Sequence, residues 1–192
     1  RDDPREDLAA VSAVREALPS DTKIMTDFNQ ALTVPDAIER GLALDGHGLE
    51  WIEEPVAHDD LIGCAEVAAT IDTPVQIGEN FSGPNSVATA ARLGAMDYVM
   101  VDLMRIGGVS GWLEASAIAD SAMIHLSSHL YPEVSAHLLA ASPTAHWLEY
   151  VDWAEPVLEA PVKIASGRAV VADVPGTGVR WDEGSVATNL VD

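Results

Sequence analysis

The sequence has very little cysteine and no long apolar run. Its single cysteine, Cys64, has no partner for an internal disulfide, and the absence of a CxxC pair excludes a thiolate metal site. We interpret Cys64 as a small buried apolar residue. No apolar stretch approaches the roughly 20 residues that a membrane span needs, and the charged start RDDPREDLAAV is unlike a secretory signal. We therefore expect a soluble, cytoplasmic protein that does not bind membranes.

Positive charge is also scarce. The chain has 31 Asp and Glu residues against 10 Lys and Arg, a formal net charge of −21, and its only lysines are Lys23 and Lys163. Nucleic acid is not an expected partner of so acidic a protein. A small carboxylate substrate would need a local positive centre, which a divalent cation could supply. The composition thus makes metal ligands the first feature to expect.

The hydrophobic pattern predicts an α/β fold. Short apolar runs rich in β-branched residues alternate with longer stretches of helical periodicity, as in repeated βα units. The predicted strands are KIMTDFN, GLEWIEE, PVQIGEN, DYVMVDL, IHLSSHL and HWLEYV. We predict a partial TIM-type (β/α) barrel of about six units over residues 1–150, closed by irregular β structure over residues 151–192 of the same domain. A complete barrel has eight units, so we expect the first two strands to be missing.

An ionisable residue ends each predicted strand. In this type of barrel the active site lies at the carboxyl ends of the strands, and unpaired buried charges are costly, so a purely structural barrel would not gather them there. The residues recur about one βα unit apart, and they are Asp27, Glu53, Glu79, Asp102, His129 and Glu149.

Three successive carboxylates, Asp27, Glu53 and Glu79, suit a hard, oxygen-preferring cation, and we predict that they bind Mg²⁺. Any one of them alone would more often be a solvated charge or a helix cap. Strand alternation predicts that Glu54 points away from Glu53. Asn29, two residues beyond Asp27, could bind substrate, although an asparagine in a turn after a strand is equally ordinary.

Asp102 and His129 end adjacent strands, so the carboxylate can orient the imidazole and make it a general base. A structural histidine is the alternative. The spacing of His125 and His129 would suit zinc on a helix, but a strand separates them by ~13 Å, and we discount zinc there. Glu149 could be a protonated acid that donates a hydrogen bond to a developing oxyanion, or a paired surface acid.

Six collinear segments then indicate a family. They are TDFNQALTVPDAI, WIEEP, PVQIGENFSGP, VDLMRIGGVSGW, SSHLYPEVSAHLLAASPTAHWLE and VPGTGV. Together they resemble the mandelate racemase branch of the enolase superfamily over nearly the whole chain. By position, the resemblance implies that Asp27, Glu53 and Glu79 are magnesium ligands and that Asp102 and His129 form an Asp–His dyad. It also implies that Glu149 is the acid that hydrogen-bonds the enediolate intermediate and that Asn29 is a polar group near the substrate.

The resemblance also implies features outside the sequence. The family has an amino-terminal capping domain, and a second base from a KxK motif at the end of the second barrel strand, just before residue 1 in the collinear match. Neither Lys23 nor Lys163 lies where it could replace that base.

The function that the resemblance implies is a Mg²⁺-dependent racemase of mandelate racemase type, acting on a 2-hydroxy carboxylate such as mandelate. An acid-sugar dehydratase of the same superfamily is the alternative enzyme, because the same residues serve both reactions. An inactive barrel fragment or a binding protein is the alternative outside enzymes. We expect a homo-oligomer with a small-molecule carboxylate substrate.

Overall fold

A computed structural model of the chain describes residues 3–190; residues 1, 2, 191 and 192, at the ends of the predicted segments 1–150 and 151–192, lie outside the described residues. One sheet holds six parallel strands in chain order, β1 (Ile24–Asp27), β2 (Leu49–Glu53), β3 (Val75–Ile77), β4 (Tyr98–Asp102), β5 (His125–His129) and β6 (Ala145–Leu148). The predicted partial TIM-type barrel is confirmed. Among residues 3–190 no helix is long and apolar enough to cross a membrane.

Helices precede and follow the strands, as the periodicity predicts. They are α1 (Pro4–Ala17), α2 (Val34–Leu44), α3 (Leu61–Thr70), α4 (Pro84–Leu93), α5 (Gly108–Ser121) and α6 (Pro132–Ala141). Side chains cap the starts of two of these helices: Thr33 accepts a hydrogen bond from the Asp36 backbone N–H, and Asp60 accepts one from the Gly63 backbone N–H at the start of α3. Gly94 ends α4 at φ 66°, a left-handed conformation that glycine adopts without steric cost.

The two faces of the sheet differ in composition. Ile52, Val99, Val101 and Leu126 belong to the main apolar core together with the helix residue Trp112. Because side chains alternate along a strand, the residues between them face the barrel interior. Those residues are largely polar and include Glu53, Gln76, Asp102, Ser127 and His129. The helices pack against the apolar face, and the polar face carries the side chains of the candidate site.

Gly78 controls how the chain leaves β3. Its φ is +133°, and an added Cβ would lie 2.8 Å from the backbone oxygen of Met100 on the neighbouring strand. Only glycine combines this conformation with so close a backbone approach. The residue therefore sets the path that brings Glu79 to the mouth of the barrel.

A β-bulge distorts the edge strand β6. Leu126 pairs with Ala145, but Ser128 pairs with Leu148, so the two residues His146 and Trp147 lie opposite the single residue between the paired positions of β5. Such an extra residue kinks the strand and re-aims its side chains.

The segment after β6 is built from short pieces. A 3₁₀ turn (Glu155–Val157) leads to an antiparallel hairpin of β7 (Lys163–Ala165) and β8 (Arg168–Val170). The short helix α7 (Glu183–Thr188) follows, which the proline and glycine pattern did not predict.

Candidate active site

The ionisable side chains predicted from the strand ends meet at one mouth. Asp27 and Glu53 are register partners across β1 and β2, and Asp102 and His129 are register partners across β4 and β5. Glu79 follows β3 by two residues. Because neighbouring parallel strands end at the same edge, the structure brings these five side chains together as the sequence predicts.

Glu53 is the most buried of the three predicted metal ligands, with 8% of its surface exposed. Its carboxylate accepts hydrogen bonds from Trp51 Nε1 (3.1 Å) and Gln76 Nε2 (3.3 Å). Burial is the main cause that raises the pKa of Glu53 to about 7; the negative charges of Asp27 and Glu79 act in the same direction, and the hydrogen bonds from Trp51 and Gln76 oppose it. The three carboxylates are therefore close enough to repel one another.

Asp27 is the exposed member of this set and is held by the turn that follows it. Asn29 donates to the two carboxylate oxygens of Asp27 from its backbone nitrogen (2.7 Å) and from its side-chain nitrogen (2.9 Å). Asn29 has φ 48°, in the left-handed region that asparagine tolerates. Its side-chain nitrogen orients Asp27, and its predicted contact with substrate stays a prediction.

Glu79 joins the carboxylates to the histidine. His129 Nε2 lies 3.4 Å from one carboxylate oxygen of Glu79, and Arg105 Nη1 lies 4.0 Å from the other. Burial raises the pKa of Glu79, the histidine opposes that shift, and the charge of Glu54 adds to it. Glu79 thus faces both the predicted metal ligands and the predicted base.

Asp102 and His129 form the closest acid–imidazole contact in the mouth. His129 Nδ1 lies 2.8 Å from one carboxylate oxygen of Asp102. The other oxygen accepts hydrogen bonds from the backbone nitrogens of Met104 (2.8 Å) and Arg105 (3.0 Å). A carboxylate held this way favours the tautomer with the proton on Nδ1, which leaves Nε2 to accept a proton.

Glu149 lies directly after β6, beside the turn that follows His129. One carboxylate oxygen accepts a hydrogen bond from the Leu130 backbone nitrogen (2.7 Å), and the Glu149 nitrogen donates to Ser128 Oγ (3.1 Å). These contacts fix Glu149 next to the predicted base. Its predicted role as a hydrogen-bond donor to the substrate stays a prediction.

A second layer of polar residues, which sequence reasoning missed, supports Glu79. Glu54 is fully buried and accepts hydrogen bonds from Gln30 Nε2 (3.0 Å) and Asn80 Nδ2 (2.7 Å). The same Asn80 nitrogen lies 3.1 Å from Glu79, and Arg105 donates to the Asn80 side-chain oxygen. The adjacent pairs Glu53–Glu54 and Glu79–Asn80 were the available signal in the sequence.

The donor set fits a hard divalent cation. Asp27, Glu53 and Glu79 supply carboxylate oxygens from three successive strands. Their negative charges repel one another, and a bound divalent cation would neutralise that repulsion. Within residues 3–190 no three His, Cys, Asp or Glu side chains are already arranged to hold one metal ion. Each of the three acids instead contacts protein donors, so binding would require them to turn toward a shared ion.

Comparison with known proteins identifies the fold's relatives. The family model described as "Enolase C-terminal domain-like" matches residues 1–185. L-talarate/galactarate dehydratase of Salmonella typhimurium is 34% identical over 178 residues, which are 93% of this chain and 45% of that protein.

Two solved structures are closely similar. An enolase from the alpha proteobacterium bal199 with bound magnesium has a TM-score of 0.96 and 49% identity, over 100% of this chain and 53% of that one. An enolase from Bradyrhizobium in complex with magnesium and mandelic acid has a TM-score of 0.93 and 42% identity, over 97% and 51%. The chain therefore spans about half the length of the relatives it matches.

Proposed function

The chain belongs to the enolase C-terminal domain-like family, and on that premise we propose that it catalyses the Mg²⁺-dependent removal of the α-proton from a small 2-hydroxy carboxylate. The observation that carries this proposal is the Asp102–His129 contact at 2.8 Å, placed beside the three carboxylates of the mouth. A base alone would not suffice, because the proton beside a carboxylate is very weakly acidic.

Asp27, Glu53 and Glu79 are the residues proposed to hold Mg²⁺. Bound there, the ion would offset the negative charge that develops on the substrate carboxylate. The magnesium in the bal199 and Bradyrhizobium structures supports this choice of ion.

The proton step assigns one task to each remaining residue. His129 Nε2 accepts the α-proton, and the C–H electron pair moves into the carboxylate to form an enediolate. Asp102 keeps the Nδ1 proton in place and stabilises the imidazolium that forms. Glu149 is proposed to donate a hydrogen bond to the enediolate oxygen, which is a typical means of stabilising a developing oxyanion.

Racemisation is the first proposed outcome. A proton returned to the opposite face of the enediolate inverts the α-carbon, and the mandelic acid bound by the Bradyrhizobium enolase supports a mandelate-like substrate. That proton must come from an acid on the opposite face, the protonated form of a second base that is not His129. Lys23 pairs with Glu50 (2.7 Å) at the start of β1 and β2, and Lys163 lies in β7, so neither lysine is part of the mouth.

Dehydration is the second proposed outcome. The same enediolate can expel the 3-hydroxyl, which takes a proton from the His129 imidazolium and leaves as water, and the enol that remains tautomerises to a 2-keto acid. The 34% identity to a talarate/galactarate dehydratase favours this reaction.

Proton NMR in D₂O with Mg²⁺ tests both outcomes on (R)-mandelate, (S)-mandelate and galactarate. Exchange of the α-proton without a 2-keto product supports racemase chemistry, and a 2-keto acid with loss of water supports dehydration. Exchange on neither substrate class would refute the proposal.

Variants separate the role of the dyad from that of the fold. We expect His129→Asn and Asp102→Asn to slow the exchange by about 10²–10⁴-fold, the usual contribution of a positioned base. His47→Asn, on an exposed loop residue, is the matched control and should retain the rate of the unmodified protein. Unchanged exchange in His129→Asn would show that another residue is the base.

A further inference from the structure

A second group of titratable side chains lies at the other end of the strands. We define the floor cluster as Trp51, Tyr98, His125 and His146, whose rings contact one another near the amino ends of β2, β4, β5 and β6. Tyr98 and His125 are register partners that begin β4 and β5. Along β5, His125 lies four strand steps, about 13 Å, from His129 at the mouth. Trp51 is the member that reaches toward the mouth, because its Nε1 donates to Glu53 (3.1 Å).

The β6 bulge is what brings His146 into this cluster. Because His146 and Trp147 share one position opposite β5, both rings reach the same interior side as Trp51. The ring centroids of His125 and His146 lie 5.2 Å apart with an interplanar angle of 33°. A regular strand would turn one of two consecutive side chains to the other face.

One ring nitrogen of His146, Nδ1, is buried and has no hydrogen-bond partner in the described part of the chain. Buried polar atoms are normally paired, so an unpaired ring nitrogen needs a physical explanation. Burial, and then the charge of His125, lower the pKa of His146, which favours the neutral imidazole that binds metal ions.

The ring spacing matches two ligands of one ion. A zinc–nitrogen bond is about 2.0–2.1 Å long, and the ring centroid lies about 1.1 Å behind the nitrogen. Two imidazoles at a tetrahedral angle then have centroids about 5 Å apart. The 5.2 Å between His125 and His146 agrees with this value.

We propose that His125 and His146 form a two-imidazole site for a borderline transition-metal ion such as Zn²⁺, separate from the carboxylates at the mouth. Imidazole suits Zn²⁺, Cu²⁺ and Ni²⁺, whereas Mg²⁺ takes oxygen ligands. Within residues 3–190 no group of three His, Cys, Asp or Glu side chains is gathered for a metal, so water completes the coordination. The ion would tie the bulged edge strand β6 to β5.

Calorimetric titration with Zn²⁺ in excess Mg²⁺ tests this site, because Mg²⁺ competes for the carboxylates but not for imidazoles. We expect one equivalent of Zn²⁺ to bind. His125→Ala and His146→Phe should each weaken that binding by more than about tenfold, since a two-ligand site cannot lose either ligand. The phenylalanine keeps a ring within the floor cluster and so protects the fold.

His47→Ala is the matched histidine control and should bind Zn²⁺ like the unmodified chain. Electron paramagnetic resonance with Cu²⁺ adds a direct readout, because two nitrogen ligands give a hyperfine pattern that His125→Ala must simplify. Absence of Zn²⁺ binding, full affinity in both variants, or an equal loss in His47→Ala would each overturn the proposal.

Discussion

Replacing Glu53 by Gln should stabilise the metal-free chain at pH 8 while removing its affinity for Mg²⁺. Glu53 is 8% exposed and its ionised form is opposed by burial and by the neighbouring charges of Asp27 and Glu79. Glutamine has nearly the same size and can still accept the hydrogen bonds from Trp51 and Gln76. It carries no charge, so it removes the destabilising interaction and a metal ligand together.

The size of the effect follows from the pKa of Glu53, which is about 7 against an ordinary value of 4.5. A carboxyl group with a raised pKa binds its proton more tightly in the folded state, so it stabilises the fold below pH 4.5 and loses that contribution as the pH rises to 7. Each pKa unit corresponds to about 1.4 kcal/mol, so the loss above pH 7 is about 3 kcal/mol. The advantage of Glu53→Gln over the unmodified chain should grow from near zero at low pH to that value.

Urea unfolding in EDTA, followed by tryptophan fluorescence at pH 5 and pH 8, measures this difference. Glu114→Gln, an exposed acid on α5, is the control for a change of one surface charge and should shift the free energy of unfolding by less than about 0.5 kcal/mol. Calorimetry with Mg²⁺ at pH 8 completes the experiment. A stability difference that does not depend on pH, or Mg²⁺ affinity retained in Glu53→Gln, would refute the reasoning.

Two further predictions concern the support of the site. Asn80→Ala should weaken Mg²⁺ binding by about 10–100-fold, because Asn80 orients Glu79 through a 3.1 Å hydrogen bond. Calorimetry measures this loss, with Asn85→Ala, at an exposed position of α4, as the control. Equal affinities of the two variants would contradict the orienting role of Asn80. Gly78→Ala should lower the free energy of unfolding by about 1–3 kcal/mol in urea, because its Cβ would lie 2.8 Å from the Met100 backbone oxygen at a φ of +133°. A stability within 0.5 kcal/mol of the unmodified chain would show that the backbone relaxes at this point.

The strand ends were predictable because short apolar runs typical of strands alternate in the sequence with stretches of helical periodicity. Asp27, Glu53, Asp102 and His129 are the last residues of their strands, one or two residues before the ends of the predicted runs. Parallel strands that are buried against helices need apolar side chains on that face, and the change to an ionisable residue therefore marks where the strand leaves the core.

The partners of Glu54 could not be read in the same way. Strand alternation predicts only that Glu54 points away from Glu53, and the residue adopts φ 37° just after β2. Its buried carboxylate links Gln30 and Asn80 behind Glu79. Such a contact joins three separate loops, and no local pattern in the sequence encodes it.

The sequence by itself determined the repeated βα architecture, the acidic character of the chain and the residues at the mouth, because these depend on local periodicity and on the chemistry of single side chains. Only the tertiary structure decided which partner each group has. The 2.8 Å contact of His129 with Asp102, the second layer behind Glu79 and the approach of His146 to His125 all depend on register, on one bulge and on loop conformation. These features arise from packing between distant segments, where a shift of one residue reverses the direction of a side chain.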